Sequence, residues 1–123
     1  MKKVIAIIRS KDKSSRRNRQ QMEKINQYIS KNGYTVVRYH IEQGVDGKNL
    51  NRTEWKKTMQ YINQHPNEVS FIITCRYDRI LDDFLMTAKL MRRLKPLGVR
   101  IFSIEETIPD DDPIHQQVFY REI

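Results

Sequence analysis

Residues Val4-Ile5-Ala6-Ile7-Ile8 form an unbroken apolar run near the start of the chain. A strand with one wet face alternates apolar and polar side chains, whereas a strand covered on both faces has no need to. The run therefore predicts a strand buried on both sides, as in a parallel sheet flanked by helices. A second run, Val69-Ser70-Phe71-Ile72-Ile73-Thr74, reads as the central strand of the same sheet. Elsewhere the period becomes helical. Met22, Ile25 and Ile29 share one face of a helix over about 16–31, and Asn32-Gly33 stops it. Residues 34–40, with Val36 and Val37, read as the second strand. Thr53 suits the N-cap of a second helix that buries Trp55, Met59 and Ile62 and ends at His65-Pro66-Asn67. A third helix over about 83–95 presents Leu81, Leu85, Ala88, Met91 and Leu94 as core or dimer contacts, and Pro96-Leu97-Gly98 stops it. Residues 99–104 form a fourth strand, and Asp112-Pro113 opens a last helix with Ile114, Val118 and Phe119 on one side. The predicted fold is one α/β domain over 1–123: three layers, with a mostly parallel sheet of four to five strands between helices.

Charge narrows the class of partner. The chain has 123 residues, enough for one core, with a formal net charge of +8 and a pI near 9.7. Such a balance favours a polyanion. No apolar run approaches the roughly 20 residues of a membrane span, and the basic loop lacks the apolar face of an interfacial helix. No membrane partner is therefore expected. The 4–8 run is too short for a signal peptide, and a single cysteine, Cys75, excludes an internal disulfide, so a cytoplasmic setting is expected. Cys75 ends a core strand and reads as a packing thiol. His40, His65 and His115 are too scattered for a metal site, and the loop over 42–52 lacks the Lys-Ser/Thr pair of a P-loop, so neither metal nor cofactor is expected.

Chemistry concentrates at two strand ends. After the first strand come Ser10, Lys11, Lys13, Arg16, Arg17 and Arg19, a basic loop whose charge opposes the dipole of the helix it leads into and so hints at an anionic partner; the plain alternative is a solvated loop. After the central strand come Cys75-Arg76-Tyr77-Asp78-Arg79, then Asp82 and Asp83. In open α/β sheets ligands bind at this carboxyl edge, and planar guanidinium groups suit phosphate. The plain alternative is a surface turn in which Asp78 and Arg79 pair with each other or with solvent. A phosphoacceptor receiver module would need acidic residues after its first strand, and Arg9-Ser10-Lys11 has the opposite charge.

These motifs together resemble the N-terminal catalytic domain of the serine recombinases, the resolvase and invertase family. Arg9 is similar to that family's strand-end arginine, and Gln21 to a glutamine usual in its first helix. Gly44-Val45-Asp46-Gly47 followed by Arg52 resembles its Gly-Ile-Ser-Gly loop and arginine. Asp78-Arg79-Ile80 looks like its Asp-Arg-Leu, and Leu97-Gly98-Val99 like its Gly-Val before the fourth strand. The resemblance implies metal-free DNA recombination. A serine hydroxyl attacks a phosphodiester, joins the 5′ phosphate and frees a 3′ hydroxyl, with arginines stabilising the charge. By that implication Arg9, Arg52 and Arg79 hold the phosphate, and Asp78 orients an arginine or handles a proton. Lys11, Lys13, Arg16, Arg17, Arg19 and Arg76 face DNA. The resemblance also implies homodimers or homotetramers built through a long helix, whose start would be 113–123. A separate DNA-binding region would lie outside residues 1–123.

Four positions depart from the pattern. Lys11 stands where the family has its serine, and Ser10 lies one residue early. Ser10 can serve only if the strand has ended or bulges there, since one residue reverses side-chain direction. Ser14 or Ser15 could reach in from the loop instead. Asp82 stands where a second arginine is expected. Asp46 also replaces a serine, and Glu42 an aspartate. Two readings follow: an active recombinase using Ser10, or a domain that keeps the fold, has lost cleavage, and acts in DNA binding, dimerisation or regulation.

Overall fold

The computed structural model describes residues 2–106. Four strands form one parallel sheet: β1 (Lys3–Ser10), β2 (Thr35–Gln43), β3 (Val69–Thr74) and β4 (Arg100–Ser103), in the order β2-β1-β3-β4. Helix α1 (Arg16–Asn32) covers one face, and α2 (Thr53–Gln64) and α3 (Phe84–Leu94) cover the other. The sheet is therefore the central layer of three. The two apolar runs form the two inner strands, and residues 4–8 of β1 are all fully buried.

Alternation along β1 sorts the core into two halves. Ile5 and Ile7 point to the α2/α3 side and pack with Trp55, Ile62, Ile72, Leu81 and Leu90. Val4, Ala6 and Ile8 point to the α1 side and pack with Ile25, Ile29, Ile73 and Cys75. Continuing the alternation, Arg9 belongs to the α2/α3 side and Ser10 to the α1 side. The chain moves from β1 to one neighbour, β2, and then crosses back to the other, β3, so the connections change direction between the ends of β1 and β3. Open α/β sheets bind their ligands at such a switch point. The β1–β3 ladder stops at Ala6–Ile73, while β1 runs on beside β2 to Ser10–Gln43. The turn after β3, with a 3-10 turn at Tyr77–Arg79, closes against the free flank of β1.

Some elements differ from their sequence-based limits. β2 runs three residues further than predicted, because Glu42 is buried against His40 and Arg52 instead of opening a loop. Arg52, not Thr53, occupies the N-cap of α2, and Thr53 begins the helix. Asp83 is the N-cap of α3, accepting from Met86 N at 3.0 Å. Leu85 is not core: it is 67% exposed, and Phe84 and Met86 are exposed with it. The first turn of α3 overhangs the core, and burial begins at Thr87, with Leu90 taking a core position. The helix expected from Asp112-Pro113, and with it the expected dimerisation segment 113–123, lies outside the described residues.

Candidate functional site

Helix α1 is pinned to the ends of β1 and β2 by two polar residues on its buried stripe. Gln21 Oε1 accepts from Arg9 N at 3.2 Å, and its Nε2 donates to Arg9 O at 2.9 Å. Asn18 Nδ2 donates to Glu42 O at 3.0 Å. Sequence reasoning noted Gln21 only by resemblance and passed over Asn18. The available signal was position: both fall on the same helical face as Ile25 and Ile29, where a polar residue must find a buried partner.

The Arg9 side chain is 2% exposed and spends its donors inside the protein. Nε donates to Arg79 O at 2.9 Å, Nη1 to Val45 O at 2.8 Å, and Nη2 to Asp78 O at 2.5 Å. Nη2 also meets Asp82 Oδ1 at 3.0 Å. The other Asp82 oxygen, Oδ2, takes Lys11 Nζ at 3.2 Å. Partial burial alone would raise the Asp82 carboxyl, but the hydrogen bonds and charges of Lys11 and Arg9 outweigh it and hold the group below the usual carboxylate range. Lys11 and Asp82, two of the four departures from the family pattern, are thus partners, and their ion pair closes on Arg9. Gly47 lies directly against this cluster: a Cβ there would sit 2.5 Å from Arg9 Nη2 and 2.7 Å from Asp82 Oδ1.

Arg52 is built in the same way. Nη1 donates to Ile80 O at 2.7 Å, and Nε lies 3.0 Å from Glu42 Oε2. Glu42 Oε1 meets His40 Nε2 at 2.7 Å, and His40 Nδ1 meets Thr58 Oγ1 at 2.7 Å. Burial lowers the Arg52 guanidinium from its ordinary value; Glu42 opposes that, and the nearby charge of Arg9 adds to it. Arg52 Nη2 is buried with no hydrogen-bond partner among the described residues.

Arg79 reaches elsewhere. Its side chain joins Arg76, Arg16, Arg17 and Lys24 around a cleft of about 590 Å³ on the α1 side, between the β1–α1 loop and the turn after β3. Asp12, Ser14, Gln20, Gln21, Cys75 and Glu105 complete the wall. Most ion pairs here are loose. Asp78 lies 3.7 Å from Arg76 and 3.9 Å from Arg79, and Asp12 lies 3.8 Å from Arg17. Lys24 is the exception, tied to Glu105 at 2.7 Å, which raises its pKa. Of the three arginines expected to converge, Arg9 and Arg52 meet at the carbonyls of 78–80, whereas Arg79 lines the cleft, its Nε buried with no hydrogen-bond partner among the described residues.

Ser10 does not face the cleft. β1 does not end before it, and the residue is fully buried with its hydroxyl donating to Asp12 O at 3.1 Å. Ser14 does line the cleft; its Oγ accepts from Arg16 N at 3.2 Å. Lys13 and Arg19 are exposed and stand outside the cleft wall, Lys13 with its Cγ against Gly44. Lys11 has an exposed side chain whose ammonium is paired with Asp82. Among the described residues no cluster of His, Cys, Asp or Glu could hold a metal ion.

A four-stranded parallel sheet with cationic side chains gathered at its switch point defines an open α/β domain. The sequence profile of the resolvase N-terminal domain matches residues 4–121, and the chain belongs to that family. Solved structures share the fold. The N-terminal catalytic domain of TP901-1 integrase superposes with a TM-score of 0.77 at 18% identity, covering 92% of this chain and 85% of that one. A resolvase family site-specific recombinase from Streptococcus pneumoniae gives 0.72 at 21% identity, covering 97% and 83%. A serine recombinase from Sulfolobus solfataricus gives 0.59 at 20% identity, covering 94% and 77%. No curated protein matches the sequence.

Proposed function

We propose that this resolvase-family domain engages the DNA backbone through the arginine cleft and does not cleave DNA from the end of β1. The observation that carries this is the Lys11–Asp82 ion pair closed on Arg9. By family resemblance a hydroxyl nucleophile and a phosphate-binding arginine would stand at those two positions. Here a lysine and a carboxylate neutralise each other, and the nearest serine, Ser10, is buried on the other face of the sheet. The cleft supplies what remains: Arg16, together with Arg17, Arg76 and Arg79, whose ion pairs are weak enough to exchange for phosphate. The net charge of +8 supports a polyanionic partner. The setting we assign is cytoplasmic, within a recombination system of a mobile element. Homodimers or homotetramers would form there, with exposed Phe84 and Leu85 as a candidate contact. No helix among the described residues is long and apolar enough to cross a membrane.

A second reading has one observation in its favour, the position of Ser14 among the cleft arginines. In it Ser14 Oγ attacks phosphorus, an O–P bond to the 5′ phosphate forms, the P–O3′ bond breaks, and the proton ends on the departing 3′ oxygen. One experiment separates the readings. The full-length gene product is mixed with its cognate DNA, trapped during strand exchange, digested and examined by mass spectrometry. The expected result is DNA retained without a phosphodeoxyribose adduct. An adduct on Ser14 establishes the second reading, and one on Ser10 overturns both.

A further inference from the structure

We infer that Asp82 is a built-in anion, whose carboxylate occupies an oxyanion seat formed by Arg9 and Lys11 beside Arg52 and keeps that seat closed to phosphate. This deepens the reading of the site as non-cleaving and rests on it for the role of the Lys11–Asp82 pair. Each carboxylate oxygen takes one cation: Oδ1 lies 3.0 Å from Arg9 Nη2, and Oδ2 lies 3.2 Å from Lys11 Nζ. Phosphate oxygens are met by guanidinium and ammonium groups in the same manner. The seat is full. Asp82 N donates to Gly47 O at 2.9 Å, and Gly47 leaves no space for a Cβ beside the pair.

The surroundings demand an anion at this point. The Arg9 side chain is almost wholly shielded from solvent, and a buried guanidinium without a counter-charge is strongly unfavourable. Arg52, 7% exposed as a residue, lies close enough for Arg9 and Asp82 both to act on its charge, and its Nη2 has no hydrogen-bond partner among the described residues. With the carboxylate neutralised, Arg9 and Lys11 would face each other uncompensated, with an unsatisfied donor close by. An inorganic oxyanion is then the species that restores the balance.

Chemical rescue tests this without DNA, so it can fail independently of the DNA-binding reading. Asp82→Asn keeps the shape and removes the charge. In phosphate-free buffer it should melt below the native chain, and inorganic phosphate at matched ionic strength should raise its melting temperature by several degrees, as mass action on the folded state requires. The native chain should show a much smaller rise. The gain should survive Asp82→Asn/Arg76→Gln and vanish in Asp82→Asn/Lys11→Gln. Broadening of the phosphate ³¹P resonance should follow the same order. A gain that survives loss of Lys11 but not of Arg76 would put the phosphate in the cleft and overturn the inference. So would Asp82→Asn showing no greater phosphate response than the native chain. If Asp82→Asn folds only when phosphate is present, that is the rescue itself. If it fails to fold even then, the carboxylate does something phosphate cannot, and the inference falls.

Discussion

Two groups of arginines flank the end of β1 and are built in opposite ways. Arg9 and Arg52 are 1% and 7% exposed and are bonded to main-chain carbonyls and carboxylates. Arg76 and Arg79 have side chains 46% and 27% exposed and meet Asp78 only at 3.7 and 3.9 Å. Short bonds to buried carbonyls hold a turn in place and are lost only with the fold. Long ion pairs in water are worth little and can be traded for another anion. An arginine after a strand therefore marks a phosphate site only when its donors are not already taken. By that criterion the cleft group is free to bind, and the Arg9 group serves the turn over 77–82.

The largest expected effect separates the groups by stability. Arg9→Ala should cost about 3–5 kcal/mol, because it removes one of the two cations of Asp82 and leaves three carbonyls without their donor. Against a typical total of about 5–15 kcal/mol, that brings the domain near unfolding. Arg79→Gln should cost under about 1 kcal/mol. Urea denaturation measures both, and similar losses would abolish the division. Next comes Gly47→Ala. Its methyl group would press on Arg9 Nη2 and Asp82 Oδ1, which cannot swing away without giving up their pair. Overpacking of that kind costs about 1–3 kcal/mol, and the Asp82→Asn background should shrink the loss if the clash is with the ion pair.

Much of this arrangement could be read from the chain, and the unread part has a common physical cause. The 4–8 run gave itself away because both faces of β1 are covered, and Gly33 because the backbone there is left-handed at φ 68°. The position of the charged stretch after β3, at the carboxyl edge of the sheet, was legible too, and two of its arginines line a cleft there. The role of Asp82 was not. In isolation it reads as a charge that repels phosphate; its pairing with Lys11 depends on two strand ends meeting in space. The same holds for Glu42, which looks like loop until Arg52 and His40 are placed around it. Ser10 was decidable in principle from alternation, provided that β1 continued, and its pairing with Gln43 shows that it does. Leu85 misled because helical period says which residues share a face and not where the core beneath that face begins.

DNA binding tests the cleft directly. Arg76→Gln and Arg79→Gln should each leave the melting temperature near the native value. Each should make the fall of log K with log salt shallower, by about 0.9 for every duplex phosphate the variant no longer neutralises. An unchanged slope in both would remove the cleft from the interface. The Arg9 side has a pH signature instead. Asp82 is held below the usual carboxylate value, which is about 3.9 in an unfolded chain. Between the two values the unfolded state binds more protons, so folding gains stability as pH rises there. The contribution is complete above the unfolded value and is lost as pH falls through the folded one. Asp82→Asn should therefore show a flatter acid limb in chemical denaturation than the native chain.

The smallest effect concerns Cys75, which lies where the cleft meets the core. The residue is 2% exposed and directs Sγ toward Gln21 O at 3.6 Å. Burial pushes its pKa up to about 11; Glu105 adds to that, while the charges of Lys24 and Arg79 pull it back. At pH 8 roughly one thiol in a thousand is ionised, so alkylation by iodoacetamide should be slow and should quicken steadily with pH. Arg79→Gln removes one of the restraining charges and should slow the reaction further at fixed pH, whereas Glu105→Gln should speed it. Arg52→Lys, on the other face of the sheet, should leave the rate alone. That last comparison is the most sensitive to the division between the two arginine groups. If changing a buried arginine altered the thiol as much as changing a cleft arginine, the two groups would share one electrostatic environment, and phosphate bound in the cleft would also be felt at Asp82.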